Sequence, residues 1–172
     1  MNNKSPARKI ALASVLSALC FLMLFIGSVI TVMDLSAAAL ASLVVVIATI
    51  EIKSYYPYLI WIVTSILGFL LLPDKFGTIV FACFAGYYPM LKSGLERFSP
   101  IVSRIAKILA FNVALTAILA LSKYVFFTPD TELGFSVAVY GVCNIVFILF
   151  DIALTKMIGL YIVKLRSKLF KN

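Results

Sequence analysis

Residues 134–165, GFSVAVYGVCNIVFILFDIALTKMIGLYIVKL, form an apolar segment that is long enough to cross a membrane as a helix. About 20 apolar residues, at about 1.5 Å each, cover a hydrocarbon core of about 30 Å. Within the segment, Tyr140, Asn144, Asp151 and Thr155 recur at intervals of four, seven and four residues, so they share one helical face. Because a polar stripe on a membrane helix faces protein or a cavity rather than lipid, the segment predicts a helical membrane protein with a modest polar interior.

The composition assigns the whole chain to the membrane. Of its 172 residues, 63% are hydrophobic, whereas soluble domains are about half apolar. No polar segment is long enough to fold separately, so residues 1–172 are predicted to form a single integral membrane domain. Cys20, Cys83 and Cys143 all lie in apolar runs, where they act as small hydrophobic residues rather than as a disulfide set.

Apolar runs and the breaks between them divide the chain into six predicted transmembrane helices. The breaks are short polar or proline-containing segments, such as Asp34, residues 51–54 and residues 73–75. The second and fourth runs are short for a straight crossing, so tilted or partly re-entrant helices are expected there. The predicted spans are residues 10–33, 35–50, 55–72, 76–91, 101–127 and 135–163.

The positive charges are distributed unevenly between the two sides of this predicted topology. With the N-terminus in the cytoplasm, only Lys75 and Lys123 of the 15 Lys and Arg residues fall on the outer side. The positive-inside rule therefore favours six spans with both termini in the cytoplasm, in a bacterial inner membrane. The net charge of +8 arises from these flanking residues and indicates no separate nucleic-acid-binding patch. The inner residues are Lys4, Arg8, Lys9, Lys53, Lys92, Arg97, Arg104, Lys107, Lys156, Lys164, Arg166, Lys168 and Lys171.

The first predicted span carries small residues at helical spacing. Ala11, Ser14 and Ala18 share one face, and Ala13 and Ser17 form a second small pair. Small residues at such a spacing let another helix approach closely. This face either packs within the protein or docks a helix of a partner protein.

A second polar stripe runs along the fifth predicted span, where Asn112, Thr116 and Lys123 lie at intervals of four and seven residues. Counted from the outer ends of the last two spans, Lys123 and Tyr140 fall in the outer half of the membrane. Thr116 and Asn144 fall near its middle. Tyr140, Asn144, Thr116 and Lys123 are therefore the predicted binding residues for a small polar or aromatic solute, with Lys123 attracting an acidic group.

Each of these four residues also has a purely structural interpretation. Asn144 and Thr116 can bridge neighbouring helices, a contact worth about 0.6 kcal/mol on average. Tyr140 can anchor the helix at the membrane interface, and Lys123 can extend to the membrane surface. At the level of the sequence, both interpretations stay open.

Motifs of common catalytic and cofactor sites are missing from the sequence. It has no His, no Gly-rich loop followed by Lys and Ser or Thr, and no paired-cysteine motif. Its few carboxylates are scattered over both predicted membrane faces. We therefore expect no enzyme activity, no cofactor and no bound metal, and no pump driven by a nucleotide site of its own.

In architecture, the chain resembles the substrate-binding S components of energy-coupling factor (ECF) transporters. The resemblance rests on six predicted spans within 172 residues, cytoplasmic termini, and the pattern AxxSxxxA from Ala11 to Ala18. It implies an all-α, polytopic, S-component-like bundle that binds a vitamin or similar micronutrient in an outward-facing pocket built largely from the later helices. It also implies that Ser14 and Ala18, with Ala11, dock on a transmembrane coupling subunit that joins two cytoplasmic ATPases. Ser14 stands where the family usually has alanine.

The predicted outer loops are shorter than those with which S components often close their pockets. The first is little more than Asp34, and so short a loop covers little of a ligand. Either the solute is small and deeply held, or the fold is used without transport. MreD-like proteins of the cell-elongation machinery illustrate the second alternative, a membrane scaffold or assembly subunit that recruits other proteins. The basic inner loop of residues 92–107 also suits that role.

Overall fold

A computed structural model describes residues 5–52, 55–124 and 137–165, and all regular structure in these ranges is helical. The chain divides into two compact units, Met1–Gly134 and Phe135–Asn172. The helices are α1 (Pro6–Val29), α2 (Asp34–Glu51), α3 (Tyr56–Leu71), α4 (Phe76–Val80), α5 (Tyr88–Leu95), α6 (Pro100–Tyr124) and α7 (Val137–Leu160).

Four helical segments of the described chain are long and apolar enough to cross a membrane. They confirm the predicted all-helical fold and support a membrane location, whereas the six-span topology stays a prediction. The helix α3 is also apolar, but its 16 residues extend only about 24 Å. The four long segments are Pro6–Val29, Asp34–Glu51, Pro100–Ser122 and Val137–Val163.

The fourth predicted span, residues 76–91, is not one continuous α-helix. The helix α4 ends after five residues, and one π-helical turn, Phe81–Ala85, follows it. In this turn the Gly86 amide donates to the Phe81 carbonyl oxygen at 2.7 Å, one residue further back than in an α-helix. The chain then turns, and α5 begins with Pro89 in its first turn, where proline's missing N–H is tolerated.

A side chain from α3 stabilises this π-helical turn. Because the Gly86 amide bonds to Phe81, it no longer reaches the carbonyl of Ala82, its partner in a regular α-helix. The indole Nε1 of Trp61 supplies the missing donor, 3.0 Å from the Ala82 oxygen. A Cβ at position 86 would collide with the Trp61 ring, so glycine permits the close approach of the two segments. The break in the helix therefore depends on a contact between residues distant in sequence.

The core of the first unit lies where α1 packs against α2 and α3. Cys20 on α1 is fully buried, and its Sγ donates to the carbonyl oxygen of Ala41 at 3.5 Å. The helix α2 contributes the small residues Ala38, Ala41 and Ala48, all without exposed surface, so the two backbones come close together. The prediction left open whether the small residues of α1 pack within the protein or dock a partner helix; this interface takes its small residues mainly from α2.

Candidate functional site

The face of α1 formed by Ala11, Ser14 and Ala18, called the α1 small-residue face below, is exposed. The Ser14 hydroxyl donates to the carbonyl oxygen of Ile10 at 3.1 Å, so its hydrogen bond is made within its own helix. Each of the three side chains is short, so this stretch of helix presents a shallow surface. Such a surface can receive a second helix at close distance.

The buried stripe of α1 lies on the other side of the helix. It consists of residues three or four positions apart that pack into the core with α2 and α3. Of the second small pair, Ala13 belongs to this stripe, and Ser17 is half-buried. The internal packing of the first unit therefore leaves the α1 small-residue face uncovered. The stripe consists of Ala13, Leu16, Cys20 and Leu24.

On α6, the predicted polar stripe does not coincide with the buried side of the helix. Thr116 is exposed, and its hydroxyl donates to the Asn112 carbonyl oxygen at 2.9 Å. Asn112 in turn donates from Nδ2 to the carbonyl oxygen of Ile108 at 2.8 Å. The backbone of Lys123 belongs to α6, but its side chain lies outside the described part of the chain. Both described polar groups thus make bonds within their own helix.

On α7, Tyr140 and Asn144 are half-buried and stand one helical turn apart. The Nδ2 of Asn144 donates to the Tyr140 carbonyl oxygen at 2.8 Å. Thr155, predicted to share their face, is exposed and makes the equivalent bond to the Asp151 carbonyl, also at 2.8 Å. Since α6 and α7 belong to different units, the predicted grouping of their polar residues in one pocket stays a prediction.

The basic loop contains a buried ion-pair cluster that sequence reasoning missed. Lys92 on α5 is 1% exposed, and Lys107 on α6 is 7% exposed. Their ammonium groups lie 3.3 and 2.9 Å from the same oxygen of Glu96, Oε1. The interval of four between Lys92 and Glu96 is a sequence signal for one of these pairs, but nothing in the sequence indicates that Lys107 joins them. The two lysines consequently bridge α5 and α6 instead of forming an exposed basic patch.

No family model, curated protein or solved structure matches the chain. Its function is therefore argued from its own residues.

A second feature missed by sequence reasoning is the burial of an acidic residue, Asp34. Asp34 begins α2, and Asp74 lies between α3 and α4, in two of the breaks between the predicted spans. In the structure Asp34 is 5% exposed and its Oδ1 has no hydrogen-bond partner among the described residues, whereas the Oδ1 of Asp74 accepts a hydrogen bond from the Phe76 amide at 2.9 Å. Asp34 directly follows an apolar run, a signal that it lies at a membrane boundary, but its burial depends on how the helices pack.

Proposed function

We propose that the chain is the membrane-embedded substrate-binding subunit of an ECF-type uptake transporter for a vitamin or similar micronutrient. It would have six spans and cytoplasmic termini in a bacterial inner membrane. The helix α3 and the interrupted helix of residues 76–95 then add two crossings to the four long helices. Docking on the coupling subunit and its ATPases is assigned to the α1 small-residue face. Solute binding is assigned to Tyr140, Asn144, Thr116 and Lys123.

The exposure of the α1 small-residue face carries this proposal. Ala11, Ser14 and Ala18 are exposed, whereas the packing of the first unit uses the opposite side of α1. In a membrane, small residues at helical spacing favour the association of helices because they let the two backbones approach closely. In contact with lipid, small residues have no advantage over larger apolar residues. A partner helix is thus the occupant that best suits this face.

The alternative, a scaffold role, would depend on the basic loop, and it is less well supported than the transporter role. A scaffold would use the loop of residues 92–107 to attract acidic partners. Lys92 and Lys107 are buried against Glu96, so two of its positive charges are engaged within the protein. If the transport tests fail, the alternative function is a scaffold that recruits envelope proteins.

Replacing Asn144 with leucine is expected to remove a co-purifying solute without unfolding the protein. The change replaces an amide that would hydrogen-bond the solute with an apolar side chain of similar size, and an unpaired polar group on the solute would then cost about 1–3 kcal/mol, or about five- to hundredfold in affinity. Small molecules released from the purified wild type and the variant, and measured by mass spectrometry, provide the readout.

The matched control is Thr155→Val on the same helix. Thr155 makes the same kind of bond to its own helix as Asn144 does, but it is exposed and is not among the predicted binding residues. The control is expected to keep the solute. Equal recovery of the solute from the Asn144→Leu protein would contradict the assignment of Asn144 to a binding site.

A further inference from the structure

The turn between α5 and α6 exposes two arginines beside apolar side chains. Arg97 lies in the turn itself and Arg104 in the second turn of α6, and both are exposed. The first residues of α6 also begin a segment that is long and apolar enough to cross a membrane, so exposed apolar side chains here are expected to face lipid. These side chains, which form the α5–α6 surface together with the two arginines, are Phe98, Ile101 and Ile105, with exposures of 63%, 71% and 55%.

The positive charges of the two arginines have no acidic partner in the described part of the chain. Glu96 is the carboxylate nearest to them in the sequence, but its Oε1 already lies 3.3 and 2.9 Å from the ammonium groups of Lys92 and Lys107. Neither arginine forms an ion pair with any described residue. Residues 92–107 contain four positive side chains and one negative side chain, so the segment has a net charge of +3. Its excess positive charge is thus available to an anion from outside the protein.

Both arginines can reach the same membrane surface. The backbone of Arg104 lies about 6 Å along α6 from Pro100, the residue that begins the helix. Side chains on a helix lean towards its N-terminus, and a long arginine side chain near a helix end extends its charged group to the membrane surface. The guanidinium group of Arg104 is therefore expected at the level of the turn that contains Arg97. The phosphate groups of lipids lie at this level of a bilayer.

We propose that Arg97 and Arg104 bind the headgroup of an anionic phospholipid, whose acyl chains lie against the apolar residues of the α5–α6 surface. A guanidinium group binds phosphate oxygens through two parallel hydrogen bonds. A zwitterionic headgroup offers the same phosphate, but a segment with a net charge of +3 repels its ammonium group, which favours an anionic lipid. An acidic protein segment in water would match the charges but would leave Phe98, Ile101 and Ile105 uncovered. The lipid site does not depend on any transported solute.

Thermal unfolding of the full chain in a nonionic detergent tests this site. The melting temperature is measured with added phosphatidylglycerol and, separately, with added phosphatidylcholine that has the same acyl chains. A molecule that binds only the folded protein raises the melting temperature. Trp61 is the single tryptophan of the sequence and lies in the same compact unit as the α5–α6 surface, so its fluorescence reports the unfolding. The wild type is expected to be stabilised at a much lower concentration of phosphatidylglycerol than of phosphatidylcholine.

The double variant Arg97→Gln/Arg104→Gln is expected to lose this preference. Each positive charge beside an anionic lipid contributes about fivefold in affinity, so the loss of both weakens phosphatidylglycerol binding about thirtyfold. The matched control is Arg8→Gln/Lys156→Gln, which removes two positive charges from exposed residues of α1 and α7. It is expected to keep the preference, because it leaves the α5–α6 surface intact. If the double variant of this surface does not fold, the two single variants supply the comparison, each with about fivefold weaker binding.

Equal stabilisation of the wild type by both lipids would overturn the proposal and would favour an acidic protein segment as the partner of the two arginines. The proposal would also be wrong if the Arg97→Gln/Arg104→Gln protein kept the full preference. An equal loss of preference in the control would likewise contradict it, because the lipid would then respond to the net charge of the whole chain and not to this surface.

Discussion

Replacing Gly86 with alanine is expected to lower the melting temperature of the protein and to disturb the π-helical turn. The new Cβ would collide with Cδ1 of Trp61 and would lie 2.9 Å from the carbonyl oxygen of Phe81. The Trp61 ring cannot retreat freely, because its Nε1 is bonded to the Ala82 carbonyl. Overpacking of this kind costs about 1–3 kcal/mol, and a lost buried hydrogen bond adds about 1 kcal/mol or more. Thermal unfolding followed by Trp61 fluorescence measures the loss.

The matched control for this variant is Gly94→Ala. Gly94 lies within α5, and a Cβ at this position would meet no atom within 4 Å. Alanine is a better helix former than glycine by up to about 1 kcal/mol, so the control is expected to keep or raise the melting temperature. Equal melting temperatures for Gly86→Ala and the wild type would contradict the close approach of Trp61 to the helix break.

Replacing Ser14 with tryptophan is expected to prevent association with a coupling subunit while leaving membrane insertion intact. Ser14 is exposed, so the larger side chain enters no packed region of the first unit. A helix seated on the α1 small-residue face would be pushed away, at a cost of about 1–3 kcal/mol, or about five- to hundredfold in affinity. Ala18→Trp should act in the same way. Recovery of the coupling subunit with the tagged chain, relative to the amount of chain in the membrane, is the measurement.

The control for the docking variants is Ile26→Trp. Ile26 is 55% exposed on the same helix but lies outside the α1 small-residue face, two turns beyond Ala18. The same bulky side chain there should leave association unchanged. Docking through the small-residue face would be refuted if the Ser14 and Ala18 variants recovered as much coupling subunit as Ile26→Trp.

Hydropathy along the sequence predicts the long helices of this protein, because the apolar run that forms each helix is a property of the local sequence. The predicted first, second, fifth and sixth spans correspond to α1, α2, α6 and α7, with ends that differ by up to several residues. The interruption of the fourth span did not follow, because hydropathy does not distinguish a π-helical turn from an α-helical one. The turn depends on the Trp61 indole reaching Ala82, a contact between residues 21 positions apart.

The side of each helix that becomes buried was harder to predict than the helix itself. Spacing identified small residues on α1, but α2 carries a similar set, and spacing does not distinguish a face that packs internally from one that stays exposed. For the charged residues of the inner loop, the sequence likewise does not show which side chains become buried. Lys92 and Lys107 were predicted to lie on the inner side of the membrane, and only the arrangement of α5 and α6 around Glu96 shows them to be buried.

The partners of the chain test its assignment as a transporter subunit most directly. The measurement is affinity purification of the tagged protein from its native membrane in mild detergent, followed by mass spectrometry of the proteins that accompany it. We expect a transmembrane coupling subunit and ATPases to be recovered with the chain. Recovery of cell-envelope proteins without a coupling subunit or ATPases would contradict the transporter assignment and would indicate a scaffold.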